Sequence, residues 1–319
     1  MSSLVARLPR LARRPVLAFV APAVAFVAIG ALGGYRYVDN FWVYRGFAPP
    51  HDPGFVTERG TAVRFYVKSA AIGGRSQPVD VYLPPGYTTD TQRRYPVLYL
   101  LHGFPGKPGA FLLTVRMGVE EDTLVAEQQM QPVILVMPFG STGQFTDKEW
   151  VDGIGANQKW ATFVSRDVVQ AVDARYRTVA TGAARAIGGL SEGGYGAINI
   201  ALRHPGEFGT VESWSGYELA DPVKSIFGGD AHLLDENSPL LVLPRVAPAL
   251  RRNHTYFWFY VGSSDGKRLQ RQNAAFAAEL ARERIPRRFF VVSGGHNWAV
   301  WRAYARPSLL AAAGHLSDG

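Results

Sequence analysis

The serine in the sequence Ile-Gly-Gly-Leu-Ser-Glu-Gly-Gly-Tyr, residues 187–195, has the setting that nucleophilic chemistry requires. The segment reads as a short apolar strand, a glycine-rich turn and the start of a helix, and it contains the G-x-S-x-G pattern that presents a serine hydroxyl at a sharp turn. The turn is so tight that the positions two before and two after the serine, Gly189 and Gly193, must have almost no side chain. We therefore predict that Ser191 is a nucleophile that attacks acyl groups.

A second match to the same pattern occurs at residues 262–266, centred on Ser264. It also follows a segment with a strong strand pattern, but the long charged side chains of Lys267 and Arg268 come next. After Ser191 the chain continues with glycine and alanine, which let a helix pack closely beneath the turn. This difference favours Ser191. The alternative interpretation of its segment is an ordinary glycine-rich connection between a strand and a helix.

A serine hydroxyl is a weak nucleophile until a base accepts its proton, and an acid must orient that base. In folds with this turn the chain order is serine, acid, histidine. Of the seven histidines, His296 directly follows the last predicted strand, where the base is expected. Asp265 lies on the loop after the preceding strand and is the predicted acid. The lesser candidates for the acid are Asp221, Asp230 and Asp235.

The oxygen that becomes negative during acyl transfer needs two backbone N–H donors. One is predicted at Glu192, the residue after the serine, and the other at Phe104, in the turn after a buried strand. His102 opens that turn and Trp298 follows the predicted base at a distance of two residues. Both are expected to contact the substrate.

Strands alternate with helices from residue 61 onward, which predicts an α/β protein with a mainly parallel, doubly wound sheet. Strands outside the serine segment are predicted at 63–67, 79–83, 96–101, 132–137, 210–214, 255–261 and 287–292. Helices are predicted at 112–129, 160–176, 195–203, 269–284 and 298–313. Residues 217–253 show no clear period, and we expect them to form a lid over the site.

The N-terminal sequence indicates where in the cell the protein is located. A basic segment, residues 1–15, precedes an uncharged run at 16–34 that is about as long as a membrane-crossing helix. Because basic residues favour the cytoplasmic side, such an anchor would place a linker at 35–60 and a catalytic domain at 61–319 outside a bacterial cell membrane. The alternatives are a cleaved signal peptide, which would give a secreted protein, and a buried core helix.

Composition limits the partners and cofactors. The chain has 319 residues, of which 47% are hydrophobic and 19% charged, as in globular proteins. It contains no cysteine, which excludes disulfides and thiolate metal sites. The net charge of +8 comes partly from the four arginines of the N-terminal basic segment, so the catalytic domain is only mildly basic. Because the basic residues are scattered, this balance suits an anionic lipid or cell-wall surface better than nucleic acid. We find no metal-ligand spacing and no phosphate-binding loop, so no cofactor is expected.

With these motifs identified, the chain resembles the putative-esterase family of α/β hydrolases over about residues 61–305. That family includes S-formylglutathione hydrolases, feruloyl esterase domains and mycolyltransferases. The resemblance rests on Leu-Leu-His-Gly at 100–103, Val-Asp-Ala-Arg-Tyr-Arg at 172–177, the serine turn at 189–195, and Gly-Gly-His-Asn-Trp at 294–298 with Trp301. It implies an α/β-hydrolase fold and a Ser-His-Asp mechanism.

Two departures from the family pattern carry information. The mycolyltransferases have Asp-Gly where this chain has His102-Gly103, which favours a hydrolytic esterase. The residue after the nucleophile is commonly methionine or another neutral residue in the family, whereas here it is Glu192. A carboxylate near the developing oxyanion is repulsive unless it points away. A second interpretation is that Glu192 binds a cationic group on the substrate, such as the amine of an aminoacyl ester.

The sequence thus predicts a membrane-anchored serine esterase that hydrolyses carboxylic esters of a lipid or cell-envelope substrate through an acyl-enzyme. One alternative is an acyltransferase that moves an acyl chain to a sugar hydroxyl. The other is a catalytically silent domain that binds the cell envelope.

Overall fold

The structure, a computed structural model, describes residues 13–37, 51–143 and 146–317. The chain divides into two compact units, residues 1–49 and 50–319. In the first unit, helix α1 spans Arg13–Tyr37. Most of the predicted basic segment and half of the predicted linker lie outside the described residues. No helix in the described ranges combines the length and the hydropathy needed to cross a membrane, so the predicted span at residues 16–34 is not supported.

In the described part of the second unit, the strands form an eight-stranded sheet, as the alternation of strands and helices predicts. The strands, in chain order, are β1 Thr61–Ser69, β2 Arg75–Leu83, β3 Val97–Leu101, β4 Ile134–Pro138, β5 Arg185–Gly189, β6 Thr210–Trp214, β7 Tyr256–Gly262 and β8 Arg287–Val292. Their spatial order is β1-β2-β4-β3-β5-β6-β7-β8. The pairs β1–β2 and β2–β4 are antiparallel, and every pair from β4 to β8 is parallel.

Apolar cores cover both faces of this sheet. On β3, Val97, Tyr99 and Leu101 point into one core, and Leu98 and Leu100 point into the other. All five side chains are fully buried, which explains why the sequence of this strand is a continuous apolar run rather than an alternating one. The sheet is therefore doubly wound, as predicted.

The helices of the second unit are, in chain order, α2 Met117–Ala126, α3 Trp160–Thr162, α4 Val169–Arg175, α5 Glu192–Arg203, α6 Lys224–Phe227, α7 Ala231–Glu236, α8 Pro239–Arg252, α9 Lys267–Arg282, α10 Trp298–Ala303 and α11 Ala305–Ala313. Two of the predicted helices contain a π-helical turn, Phe111–Val115 before α2 and Phe163–Val168 between α3 and α4. The segment without a clear period, residues 217–253, is largely helical. Its main helix, α8, contains Pro244 and Pro248, and these prolines weaken the helical pattern in the sequence.

The carboxyl ends of the parallel strands define the functional edge of the sheet. Ligands bind at this edge in open parallel sheets because the connecting loops converge there. The loops that follow β3, β5, β7 and β8 carry His102, Ser191, Asp265 and His296 respectively. The topology therefore brings the residues that the sequence singles out to one edge.

Candidate active site

Ser191 occupies a strained turn between β5 and α5. Its backbone has φ 57° and ψ −124°, a combination outside the φ/ψ regions that residues with a side chain normally adopt. A Cβ on Gly193 would lie 1.9 Å from the carbonyl oxygen of Leu101, and one on Gly189 would lie 2.5 Å from the same oxygen. Both glycines are thus sterically required, which is the relationship that the G-x-S-x-G pattern predicts.

His296 meets this serine across the edge of the sheet. Its Nε2 lies 2.7 Å from the hydroxyl oxygen of Ser191. The imidazole packs edge-on against the ring of Trp301, with the ring centroids 5.1 Å apart. The side chain is 39% exposed, so the imidazole remains open to solvent and to a ligand. The distance permits a proton to pass directly from the hydroxyl to the imidazole.

Asp265 lies behind the imidazole. Its side chain is fully buried, and Oδ2 accepts the backbone N–H of Gly262 at 2.7 Å. Oδ1 lies 3.5 Å from Nδ1 of His296 and has no hydrogen-bond partner among the described residues. The carboxylate is therefore oriented by Gly262, and its free oxygen points toward the imidazole.

The other candidate acids have different contacts. Asp221 forms a two-point pair with Arg268, with oxygen–nitrogen distances of 2.6 and 3.1 Å. Asp230 caps α7 by accepting the N–H of Leu233, and Asp235 lies within that helix. Asp265 is the candidate that the structure brings to His296.

His102, which the sequence predicts to contact the substrate, is held by backbone groups on both ring nitrogens. It is buried, its Nδ1 lies 2.9 Å from the carbonyl oxygen of Gly103, and its Nε2 accepts the N–H of Gly140 at 3.2 Å. Nδ1 therefore donates and the ring is neutral, in agreement with burial lowering the pKa of His102 to about 4. Since both nitrogens bind backbone groups, His102 ties the turn after β3 to the loop after β4 and has no free nitrogen for a substrate.

Trp150, which the sequence analysis did not identify, also holds the turn after β3 in place. Its indole N–H donates to the carbonyl oxygen of His102 at 3.0 Å, and its ring packs edge-on against the imidazole. It is fully buried, and a Cβ on Gly196 would lie 2.6 Å from its Cβ. Trp150 therefore packs between the turn after β3 and α5, the helix that follows the nucleophile.

The other predicted site residues lie at the same edge. Glu192 is the first residue of α5, so its N–H has no acceptor within the helix. Phe104 lies in the turn after β3 with its side chain 43% exposed. Trp298 begins α10, and its ring packs edge-on against Trp301, which contacts His296.

Two further carboxylates, Asp147 and Glu149, act electrostatically on Glu192, the residue after the nucleophile. Burial, together with the negative charges of Asp147 and Glu149, holds the pKa of Glu192 well above its usual range. Burial also raises the pKa of Glu149 to about 8, against the effect of a 2.5 Å hydrogen bond that Oε2 accepts from Tyr217. The Tyr217 ring stacks on Tyr195, with the centroids 4.6 Å apart. Sequence reasoning singled out Glu192 alone from this group.

The described residues contain no group of three histidine, aspartate or glutamate side chains that could hold a metal ion. The chemistry available at this edge is that of a serine hydroxyl, an imidazole, a buried carboxylate and backbone N–H groups.

Comparison with known proteins shows that this chain is similar to esterases. A family model described as "Putative esterase" matches residues 69–311. A Xylanibacter ruminicola protein named as an endo-1,4-beta-xylanase/feruloyl esterase is 34% identical over 166 residues, which cover 49% of this chain and 23% of the relative. A Mycobacterium tuberculosis protein named as an esterase is 34% identical over 149 residues, which cover 47% of this chain and 31% of the relative. The chain thus spans less than a third of the length of these curated relatives.

Solved structures show the same fold. A ferulic acid esterase superposes with a TM-score of 0.71 at 24% identity and covers 82% of this chain and 100% of its own. An S-formylglutathione hydrolase from Agrobacterium tumefaciens superposes with a TM-score of 0.66 at 15% identity and covers 85% of this chain and 99% of its own. The fold is that of the α/β-hydrolase-like esterases.

Proposed function

Because the chain belongs to the putative-esterase family, we propose that it is a serine esterase whose nucleophile is Ser191. The observation that carries the proposal is the 2.7 Å contact between the Ser191 hydroxyl and Nε2 of His296, made by a serine in a strained turn. Serine nucleophiles are recognised by this geometry rather than by fold alone.

The proposed reaction has two steps. In the first, the Ser191 oxygen bonds to the ester carbonyl carbon while its proton passes to Nε2 of His296. The N–H groups of Glu192 and Phe104 donate to the carbonyl oxygen as it becomes negative. The carbon–oxygen bond to the alcohol then breaks, and His296 returns the proton to the departing alcohol. An acyl group remains on Ser191.

Water completes the cycle by the same route. The oxygen of a water molecule attacks the acyl carbonyl carbon while His296 accepts a proton from that water. The bond between this carbon and the Ser191 oxygen then breaks, and His296 returns the proton to Ser191 as the carboxylic acid leaves. Asp265 keeps Nδ1 of His296 protonated and offsets the positive charge that the imidazole gains. His102 and Trp150 hold the turn that carries Phe104, and Trp301 packs against His296.

The test is the hydrolysis of a simple activated ester, p-nitrophenyl acetate, by the wild type and matched variants. Ser191→Ala and His296→Ala should each reduce kcat at least about 10³-fold, whereas Ser264→Ala should leave it within about twofold, the change expected without a lost transition-state contact. Equal loss in Ser264→Ala would contradict the assignment of the nucleophile.

The natural substrate and the location are further proposals. Feruloyl esters belong in a first substrate panel because one relative is named as a feruloyl esterase.

The arginines ahead of the uncharged run at 16–34 are the only support for a position outside the cytoplasm and for a lipid or cell-envelope ester as the substrate. Release of the acyl group to water, or its transfer to an added sugar, distinguishes an esterase from an acyltransferase.

A further inference from the structure

The hydrogen bonds of His296 do not by themselves fix the orientation of its ring. Nε2 lies 2.7 Å from the Ser191 hydroxyl, but Nδ1 lies 3.5 Å from Oδ1 of Asp265. The second distance is longer than a normal hydrogen bond between nitrogen and oxygen. A ring that is held at one nitrogen can pivot about that contact, and 39% of this side chain is exposed to solvent. A further contact is therefore needed to hold the imidazole in place.

Trp301 makes such a contact. Its indole lies edge-on against the imidazole of His296, with the ring centroids 5.1 Å apart and the ring planes at 82° to each other. Aromatic pairs prefer this arrangement. Trp301 is itself 6% exposed and belongs to the apolar core on one face of the sheet. Trp298 packs edge-on against its other neighbouring surface, with the ring centroids 5.0 Å apart. The indole is thus fixed by the core and can restrain the more exposed imidazole.

The chain that follows His296 holds Trp301 at this position. The side-chain oxygen of Asn297 caps α10 by accepting the N–H of Val300 at 3.1 Å. The carbonyl oxygen of Asn297 accepts the N–H of Trp301 at 3.2 Å. Val300 also packs against Gly294, since a Cβ on that glycine would lie 2.5 Å from Cγ2 of the valine. The loop with the base and the helix with Trp301 are therefore joined as one unit.

The contact between Trp301 and His296 depends on the ring of the tryptophan and not on its N–H group. That N–H is buried and has no hydrogen-bond acceptor among the described residues. Because no hydrogen bond is involved, another aromatic ring at position 301 can make a similar edge-on contact. An aliphatic side chain can fill the core there but offers the imidazole no ring.

We propose that Trp301 is a positioning residue for the reaction, and that its ring keeps the imidazole of His296 facing the Ser191 hydroxyl and Asp265. The inference rests on the proposed esterase function, because it concerns how the base of the same site acts. A displacement of about 1 Å in a catalytic group can slow a reaction about 10²-fold. Loss of the ring should therefore slow the proton transfers through His296 and leave substrate binding nearly unchanged.

The experiment compares Trp301→Phe, which keeps an aromatic ring, with Trp301→Leu and Trp301→Met, which fill the core without one. The full-length variants hydrolyse p-nitrophenyl acetate. For each variant, kcat is divided by the fraction of molecules that have reacted with a fluorophosphonate when that reaction is complete. This corrected kcat excludes unfolded protein. A role in packing alone would lower the melting temperature and the reactive fraction, but not the corrected kcat.

Trp301→Leu and Trp301→Met should each lower the corrected kcat about tenfold or more. Their KM should stay within about threefold of the wild-type value, because the buried indole does not bind the substrate. The rate constant for the reaction of Ser191 with the fluorophosphonate should fall by a similar factor, since that reaction uses the same base. Trp301→Phe should keep a corrected kcat within about threefold of the wild type.

Trp160 provides the matched control. It is also a buried tryptophan whose N–H has no acceptor in the described ranges, and its ring lies edge-on against Phe163 with the centroids 5.9 Å apart. This pair contains none of the three proposed catalytic residues. Trp160→Leu should therefore lower the melting temperature but leave the corrected kcat within about twofold of the wild type.

A wild-type corrected kcat in Trp301→Leu and Trp301→Met would overturn the inference and leave the esterase function intact. An equal loss in Trp301→Phe, or in Trp160→Leu, would also overturn it, because the effect would then not depend on a ring beside His296. If Ser191 of the wild type does not react with the fluorophosphonate, the esterase function itself fails.

Discussion

Nδ1 of His296 lies 3.5 Å from Oδ1 of Asp265, although Nε2 of the same ring is only 2.7 Å from the Ser191 hydroxyl. The hydroxyl–imidazole contact is thus already at hydrogen-bond distance, and the imidazole–carboxylate contact is longer than a normal one. The other carboxylate oxygen is held by Gly262 at 2.7 Å. Catalytic hydrogen bonds are often long before the substrate binds.

The first prediction concerns this acid. Asp265→Asn should lower kcat for ester hydrolysis by about 10³- to 10⁴-fold with little change in KM, because an amide cannot stabilise the imidazolium and its NH₂ group favours the wrong tautomer of His296. Steady-state kinetics on p-nitrophenyl acetate measure the effect. Asp221→Asn is the control and should lose far less, since Asp221 pairs with Arg268. A greater loss of kcat in Asp221→Asn would identify Asp221, rather than Asp265, as the acid that orients His296.

The second prediction concerns the turn that carries Ser191. Gly193→Ala should prevent the native elbow from forming, because its Cβ would lie 1.9 Å from the carbonyl oxygen of Leu101. We expect a large fall in the melting temperature or no soluble protein, measured by thermal unfolding. Gly266→Ala is the control, since a Cβ there meets no atom within 4 Å. A Gly193→Ala variant with wild-type stability and activity would contradict the geometry of the turn.

The third prediction concerns stability against pH. Burial raises the pKa of Glu218 to about 8, and neither of its carboxylate oxygens has a hydrogen-bond partner among the described residues. The unfolded chain releases this proton near pH 4.5 and the folded chain only near pH 8, so the contribution to stability is present below about 4.5 and is lost as the pH rises toward 8.

Glu218→Gln removes this titration. Between pH 5 and pH 8 the melting temperature of the wild type should therefore fall further than that of Glu218→Gln. We expect a difference of at least about 2 °C, which corresponds to roughly 1 kcal/mol in a domain of this size. Differential scanning calorimetry at the two pH values measures it. Parallel curves for the two proteins would show that Glu218 does not titrate in this range.

The sheet and the central site residues could be predicted from the sequence because their constraints are local. A strand buried on both faces reads as an apolar run, as in β3, and the predicted boundaries of that strand and of β6 agree with the structure within one residue. The tight turn around Ser191 requires glycines, and the topology of the fold requires the chain order serine, acid, histidine. Both requirements can be recognised in the sequence.

The remainder depends on contacts between distant segments. Trp150 and Glu149 lie in a loop whose sequence has no helical or strand periodicity. Both have positive φ values, 51° and 52°, which tryptophan and glutamate rarely adopt and which the sequence therefore does not predict. Their roles arise from His102 and Tyr217, which are distant in the chain. The backbone contacts of His102 could not be predicted for the same reason, since its second partner is the backbone N–H of Gly140.

The central claim is that Ser191 is an activated nucleophile, and reaction with a fluorophosphonate probe tests it most directly. We predict that the folded wild type reacts, that Ser264→Ala reacts equally, and that Ser191→Ala does not react. Such a result would place the reactive hydroxyl where it contacts His296. Labelling that survives in Ser191→Ala, or is lost only in Ser264→Ala, would contradict the account.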